Sequence, residues 1–470
     1  MYLRFHVNYQ AQDSHHPEGQ RDHPQFAKIP SPILVQDFKN MQIPPAFEKW
    51  RHLFDESFPS LEGYAVIYKD LHRHPELPTQ ESRTAAVVAD HLESLGYEVQ
   101  RDIGGHGVVG ILTNGEGRTV LLRSELDALP MEENTGLAYA SKVKQVDTDG
   151  QIKPVMHGCG HDMHMASLLG AAELLHKTRE AWSGTLICLF QPNEERLLGA
   201  QAMIDDGLFD KIPLPDIVLG QHAVPTKAGT IGTRPGRVLG FLDSLAVRVY
   251  GKGTHSSTPE LGIDPILMAS CIVSRLQMVN AREIGFNEPC AITCGYFHAG
   301  TDASIIPEFA DFTVDVRSFS KDVQDTAVKA VKRIIEGECQ AANSPQSPLI
   351  VTSASCPPID NDAEATARFT SALRRFYGDD APSKVIEMDL DITADDFVLL
   401  GHPPKKEPIP YIYWNYGVTP RDKYDQAEKD GTLKDLPFNH NARFAPEIEP
   451  SLKAGIEGLA IASVLFFQTE

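Results

Sequence analysis

Met156-His157-Gly158-Cys159-Gly160-His161-Asp162-Met163-His164-Met165 places a thiol and three imidazoles within eight residues, spaced by two glycines. A thiolate and a neutral imidazole two residues apart reach one divalent ion only if the chain between them turns tightly, which Gly158 and Gly160 permit. The stretch therefore predicts a metal site. Met165 to Leu175 (Met-Ala-Ser-Leu-Leu-Gly-Ala-Ala-Glu-Leu-Leu) follows with the apolar spacing of a buried helix, so the ligands sit on a loop running into a helix. An isolated Cys or His is usually a core or surface residue, but four crowded into a glycine-broken loop point to ligation.

Working outward, short apolar runs bounded by glycines, Val108 to Leu112 and Thr119 to Leu122, have the look of buried strands. The second runs into Arg123-Ser124-Glu125-Leu126-Asp127. Gly184 to Phe190 is another such strand and opens into Gln191-Pro192-Asn193-Glu194-Glu195, while Asp216 to Gly220 leads to His222. Carboxylates and an imidazole thus gather just beyond the C-terminal ends of strands that alternate with helices, the edge where an open α/β sheet collects its catalytic groups. Helices are predicted from Leu61 to His74, from an N-cap at Thr79 through Leu95, from Asp362 to Phe376, and from Pro450 to Phe467. Thr393 to Phe397 opens a further helical stretch, and Tyr411 to Tyr416 reads as a strand.

Between Phe241 and Ser355 the pattern changes to β-α-β-β-α-β, the ferredoxin-like split unit. It carries none of the clustered ligands, but His255 lies in a glycine-flanked loop after its first strand. The expected organisation is a poorly ordered extension over residues 1–55, a catalytic metal-binding domain over 56–240 and 356–470, and an inserted domain over 241–355. His15, His16 and His23 belong to the solvated extension.

The chain has 470 residues and a formal net charge of −21, which argues against nucleic acid or an anionic membrane as partner and favours a small molecule or peptide. Seven cysteines form no short-range framework, and the first residues lack the apolar core of a signal peptide. A reducing, cytoplasmic setting is expected.

Collected, Cys159, His161, Glu195, His222 and His440 are the ligand candidates, with Glu194 left over. Five mixed sulfur, nitrogen and oxygen ligands exceed one tetrahedral structural site and predict an open or two-metal catalytic one. The donors suit Zn²⁺, and also admit Mn²⁺, Co²⁺ or Ni²⁺. A carboxylate beside the metals but not bound to them, Glu194, fits the general base of metal-assisted hydrolysis.

From about Tyr64 onward the chain resembles the aminoacylase and carboxypeptidase family of metallo-amidohydrolases, in the branch of hippurate hydrolases and indole-acetyl-amino-acid hydrolases. The resemblance rests on Asp70-Leu-His-Arg-His-Pro-Glu-Leu77, Leu122-Arg-Ser-Glu-Leu-Asp-Ala-Leu-Pro130, His157-Gly-Cys-Gly-His-Asp-Met-His164, Phe190-Gln-Pro-Asn-Glu-Glu195, Gly251-Lys-Gly-Thr-His255 and Asp395-Asp-Phe397, in that order. It implies a three-layer αβα catalytic domain with an inserted lid and dimerisation domain, and two divalent ions held by Cys159, His161, Glu195, His222 and His440. It also implies Glu194 as base and hydrolysis of the amide of an N-acyl amino acid or small peptide by a homodimer. A metallo-dipeptidase or carboxypeptidase is the neighbouring expectation, and a non-catalytic binding protein the contrasting one. His255, through the lid, is expected to stabilise the transition state. Three departures stand out: Ser124-Glu125 replaces the usual Ala-Asp, Arg196-Leu197 replaces glycines, and Ser304 replaces an Asn before Ile-Ile-Pro.

Overall fold

Runs that are apolar on both faces become the interior strands of the main sheet. Thr119–Glu125 is buried along its whole length, and Gly184–Gln191 along all but one residue. The computed structural model describes residues 45–467. Its eight-stranded sheet runs in the order Glu98–Ile103, Gly107–Asn114, Gly184–Gln191, Thr119–Glu125, Ile217–Lys227, Tyr411–Thr419, Ile231–Thr233 and Val385–Glu387. The sheet is mixed. Its first two pairings are antiparallel, and the central ones that carry the site are parallel. Parallel neighbours need crossovers, and the helix His161–Lys177 supplies the one between Thr119–Glu125 and Gly184–Gln191.

That helix is buried on nearly every side, because it lies between the sheet and the C-terminal helix Ile448–Phe466. Its core also takes in the helices Leu61–Arg73, Ser82–Ser94 and Ala363–Tyr377. A second apolar cluster fills the opposite face of the sheet, with Met203, Leu208, Phe397 and Leu400 packed on Leu121, Ile187 and Val218. Helices on both faces make the three-layer αβα arrangement.

The unit between Phe241 and Cys356 has its own sheet and its own core. Phe241–Tyr250 pairs antiparallel with both Phe309–Ser318 and Leu349–Cys356, and Cys290–Thr293 flanks Phe309–Ser318. Helices Pro265–Arg282 and Lys321–Ala341 pack on this sheet through Ile272, Leu276, Val331 and Ile335. Asp264 caps the first of them, its Oδ1 accepting from the Ile266 and Leu267 N–H groups, with Pro265 at the position where no N–H is needed.

Several expectations are corrected. The extension does not run loose to residue 55, since Pro45–Ser57 is a helix whose Phe47, Trp50 and Phe54 are buried. Trp50 and Phe54 meet Phe376, with ring centroids 4.9 Å apart for Phe54–Phe376, and the Trp50 Nε1–H donates to Thr178 Oγ1 at 3.1 Å. His15, His16 and His23 lie outside the described residues. Thr79 is not an N-cap. Its φ is +71°, its N–H donates to the Glu81 carboxylate, and the helix starts at Ser82. His222 lies inside the strand Ile217–Lys227 rather than beyond it, because pairing with Tyr411–Thr419 carries that strand on. A helix at Arg421–Asp430 has no apolar stripe that sequence could have shown, and only Ala427 of it is buried.

Trp50→Ala should cost about 3–5 kcal/mol by opening this aromatic cluster, with metal content unchanged. Urea denaturation with metal analysis of the same sample checks both.

Candidate metal centre

The Cys159 loop needs its glycines for two different reasons. Gly160 sits at φ +85°, in the left-handed region, directly before the first helical residue His161. Gly158 instead makes room, because a Cβ there would lie 2.6 Å from the Met131 sulfur. The turn brings Cys159 Sγ to 3.5 Å from His222 Nε2. On the far side, the loop after Gly184–Gln191 delivers Glu194 and Glu195, whose carboxylate oxygens lie 3.7 and 3.9 Å from His161 Nε2. His440, at φ +64° and tied by its N–H to the Gly158 carbonyl at 2.8 Å, puts Nε2 3.3 Å from Glu195 Oε2.

Among the described residues five donor sets have all their ligand atoms within 4.8 Å of one another; Glu125–His161–His164 and Glu194–Asp395–Asp396 draw on residues otherwise engaged, and the other three are Cys159–His161–His222, Cys159–Glu195–His440 and His161–Glu194–Glu195. All five ligand candidates and Glu194 are therefore together, and Cys159 belongs to two of the sets. His255 belongs to none of them. It is an exposed residue of the inserted unit, on the short strand Thr254–His255.

The lone pairs point the right way for a cation. His161 Nδ1 donates to the Asp127 carbonyl at 2.8 Å, and His222 Nδ1 donates to the Ala223 carbonyl at 2.9 Å, so each neutral ring keeps an unprotonated Nε2. His161 Nε2 and Glu195 Oε1 are buried without any hydrogen-bond partner. Unpaired buried donors and acceptors are costly, and a divalent ion would satisfy both at once.

The charges agree. Burial, then Glu195 and Glu194, push the Cys159 thiol well above its usual range. Burial, then Asp395 and Glu195, push the Glu194 carboxyl well above the usual carboxylate range, against the pull of Arg123. Burial opposes protonation of His161, but Asp127, Glu125 and Glu195 outweigh it and raise the ring to about 10. In all three the neighbouring carboxylates add to the shift, and bound cations would offset that negative charge.

Other polar groups nearby are already committed. Asp395 accepts from Arg123, the Phe397 N–H and Tyr413 OH, and Asp396 accepts from Gln191 and the Ala200 N–H, so neither is free for a metal. His164 has both ring nitrogens engaged, with Glu125 and with the Ala223 N–H. His157 is the exception: it is buried with neither ring nitrogen hydrogen-bonded, and burial lowers its ring to about 4, so it is neutral near pH 7. The Ser304 hydroxyl donates to Asp302 Oδ1 at 2.6 Å and its N–H to the same oxygen at 2.8 Å, which spends that side chain within its own turn. Sequence reasoning passed over Asn439, whose Nδ2 donates to the Cys159 and Ala223 carbonyls, and placed Asp127 at the sheet edge without a role; its Oδ2 accepts the Glu195 N–H.

Behind the site, His72 is fully buried between Asp162 at 2.6 Å and Glu133 at 3.1 Å. Burial opposes its charge, yet these carboxylates raise its pKa from 6.5 to about 9. A raised folded-state pKa means the stabilisation is complete below the unfolded value and is lost as pH climbs through the folded one. The stability gap between the parent and His72→Asn should therefore narrow by about 3 kcal/mol from about pH 6 to about pH 10, measured by urea titration at each pH.

A cluster of thiol, imidazole and carboxylate side chains able to hold divalent ions, at the C-terminal edge of the central sheet of an αβα fold, fits a metal-dependent hydrolase. Residues 121–405 match the model of peptidase family M20/M25/M40, and the chain belongs to that family. It is 33% identical over 405 residues to thermostable carboxypeptidase 1 of Saccharolobus solfataricus, covering 85% of this chain and 94% of that one. It is 38% identical over 284 residues to the hippurate hydrolase of Campylobacter jejuni, covering 60% of this chain and 71% of that one. Among solved structures it is similar to a dinuclear metal binding peptidase of this family from Bacillus subtilis, with a TM-score of 0.64 at 25% identity, covering 87% of this chain and 99% of that one. The chain is a metal-dependent hydrolase of amide bonds.

Proposed function

We propose that the chain releases an amino acid from an N-acyl or N-aroyl conjugate, using two Zn²⁺ or Mn²⁺ ions held by Cys159, His161, Glu195, His222 and His440. The observation that carries this reading is the pair of buried, partnerless atoms, His161 Nε2 and Glu195 Oε1, aimed into one cluster with Cys159 and His222. Bound divalent ions supply Lewis acidity to the water and to the scissile carbonyl. Glu194 takes the proton of the attacking water and passes it to the leaving amine nitrogen. The Asp127 carbonyl keeps the imidazole of His161 in its Nδ1–H form, and Asn439 holds the Cys159 loop against the His222 strand at Ala223.

Dipeptide or carboxypeptidase activity is the second reading, favoured by the likeness to a carboxypeptidase over most of both chains. A hydrolysis screen of acyl-amino acids and dipeptides, with Zn²⁺ and Mn²⁺ supplied separately, decides between them. No cleavage of either class by metal-loaded protein would overturn both.

The same reading takes the inserted unit as lid and dimer contact. Leu267, Met278, Leu349 and Val351 are exposed large apolar side chains on its helix Pro265–Arg282 and edge strand Leu349–Cys356, which fits a second copy of the chain as partner. All seven cysteines are free, in keeping with a cytoplasmic setting, and no described helix is long and apolar enough to cross a membrane. His255 Nδ1 accepts from the Ser257 N–H at 3.1 Å, leaving Nε2–H as a donor for the oxyanion. His255→Ala should lower turnover by about 10²-fold with metal content unchanged. Activity recovered on mixing it with inactive Glu194→Gln protein would place His255 in the partner's site, and none in proven heterodimers would confine it to its own chain.

A further inference from the structure

The ladder between Thr119–Glu125 and Ile217–Lys227 ends at the pair Arg123–Gly220. Beyond it, among the described residues, the strand carrying His222 pairs with no backbone on that side. His164 takes the place of the missing strand, since its Nε2 accepts the Ala223 N–H at 2.8 Å. A ring nitrogen that accepts an N–H carries no proton, so the proton of the neutral ring is on Nδ1, and Nδ1 lies 2.7 Å from Glu125 Oε2. Glu125 is in turn hydrogen-bonded to Arg123, which also holds Asp395. On the other side of the same residue, the Ala223 carbonyl accepts from His222 Nδ1 and from Asn439 Nδ2. The residue after His222 is thus gripped at its N–H by His164 and at its carbonyl by the ring that must stay oriented.

We propose that His164 and Glu125 are a positioning pair for His222: His164 completes the strand where the sheet stops, Glu125 fixes its tautomer, and both are kept from ligating the metal themselves. This rests on the reading of His222 as a metal ligand. It also accounts for a glutamate at position 125, whose side chain reaches both the Arg123 guanidinium and the His164 ring. Their effect reaches His222 through the Ala223 backbone and through the His164 ring, which packs edge-on against the His222 ring with centroids 4.6 Å apart.

The test uses the full-length, Zn²⁺-loaded protein. Ring ¹⁵N NMR, with the His164 signal assigned by its loss in His164→Gln, should show the Nδ1–H tautomer, the form less favoured for a free imidazole in water. His164→Leu leaves the Ala223 N–H and the Glu125 Oε2 unpaired while Oε1 keeps Arg123, and should weaken Zn²⁺ binding by about 10- to 100-fold in competition with a chelator. His164→Gln, whose amide can accept from the Ala223 N–H and donate to Glu125, should recover most of that loss. An Nε2–H tautomer at His164, or parental Zn²⁺ affinity in His164→Leu, would overturn the proposal. If His164→Leu does not fold, the tautomer of the parent protein still decides. A parent that binds no Zn²⁺ would sink the metal reading itself, whereas one that binds and hydrolyses with the wrong tautomer sinks only the positioning pair.

Discussion

Glu194→Gln protein is expected to keep its metal and lose about 10²- to 10⁴-fold in turnover. The adjacent glutamates have different neighbours, and this is what separates their roles. Glu195 Oε2 approaches His440 Nε2, and Glu195 also joins Cys159 in one donor set, so it faces the ligands on both sides. Glu194 is buried, and its near neighbours are His161 and the acidic pair Asp395 and Asp396. Negative neighbours in a low-dielectric site strengthen a carboxylate as a proton acceptor. The amide of glutamine has the same shape but cannot take the proton of the attacking water. Glu195→Gln should instead lower metal content. Turnover and metal analysis on both proteins test the assignment, and exchanged phenotypes would exchange the roles.

How much of this was legible in the sequence follows from distance along the chain. Cys159 and His161 are two residues apart and broken by glycine, so local chemistry announces them. Glu194 and Glu195 are legible because the apolar strand before them says which way the chain is pointing. His440 is a different case. It reaches the site from a loop near the C-terminus, and its neighbour Asn439 binds Cys159 across 280 residues of sequence. Read alone it is a loop histidine, and it joins the ligand candidates only beside the others. The buried pairing of Arg123 with Asp395 spans 272 residues and left no local trace. His164 shows the limit from the other side, because its composition and spacing match a ligand, and only strand register shows that both its nitrogens are spent. Trp50 was hidden for a third reason: Phe47, Trp50 and Phe54 do fall at the helical spacing i, i+3 and i+7, but over only about two turns at the end of a long polar stretch.

The other large effect is expected at Cys159. Cys159→Ser should lose metal and activity together, with binding weakened by more than about 10²-fold. Cys159 belongs both to the set with His161 and His222 and to the set with Glu195 and His440, so weakening it affects every ligand candidate at once. Burial and the surrounding carboxylates oppose a thiolate here, which means that the cation and the thiolate stabilise each other and neither is favoured alone. A serine hydroxyl in the same surroundings is far harder to deprotonate, and so leaves Glu194, Glu195 and Glu125 without the charge that balances them. Cys188, Cys339 and Cys356 are also buried, but they pack in apolar clusters. Serine at those positions should cost stability through packing and leave metal content near the parental level. Metal analysis after dialysis, read beside turnover and the denaturation midpoint, separates the two outcomes. Full metal occupancy with parental turnover in Cys159→Ser would remove the thiolate from the site.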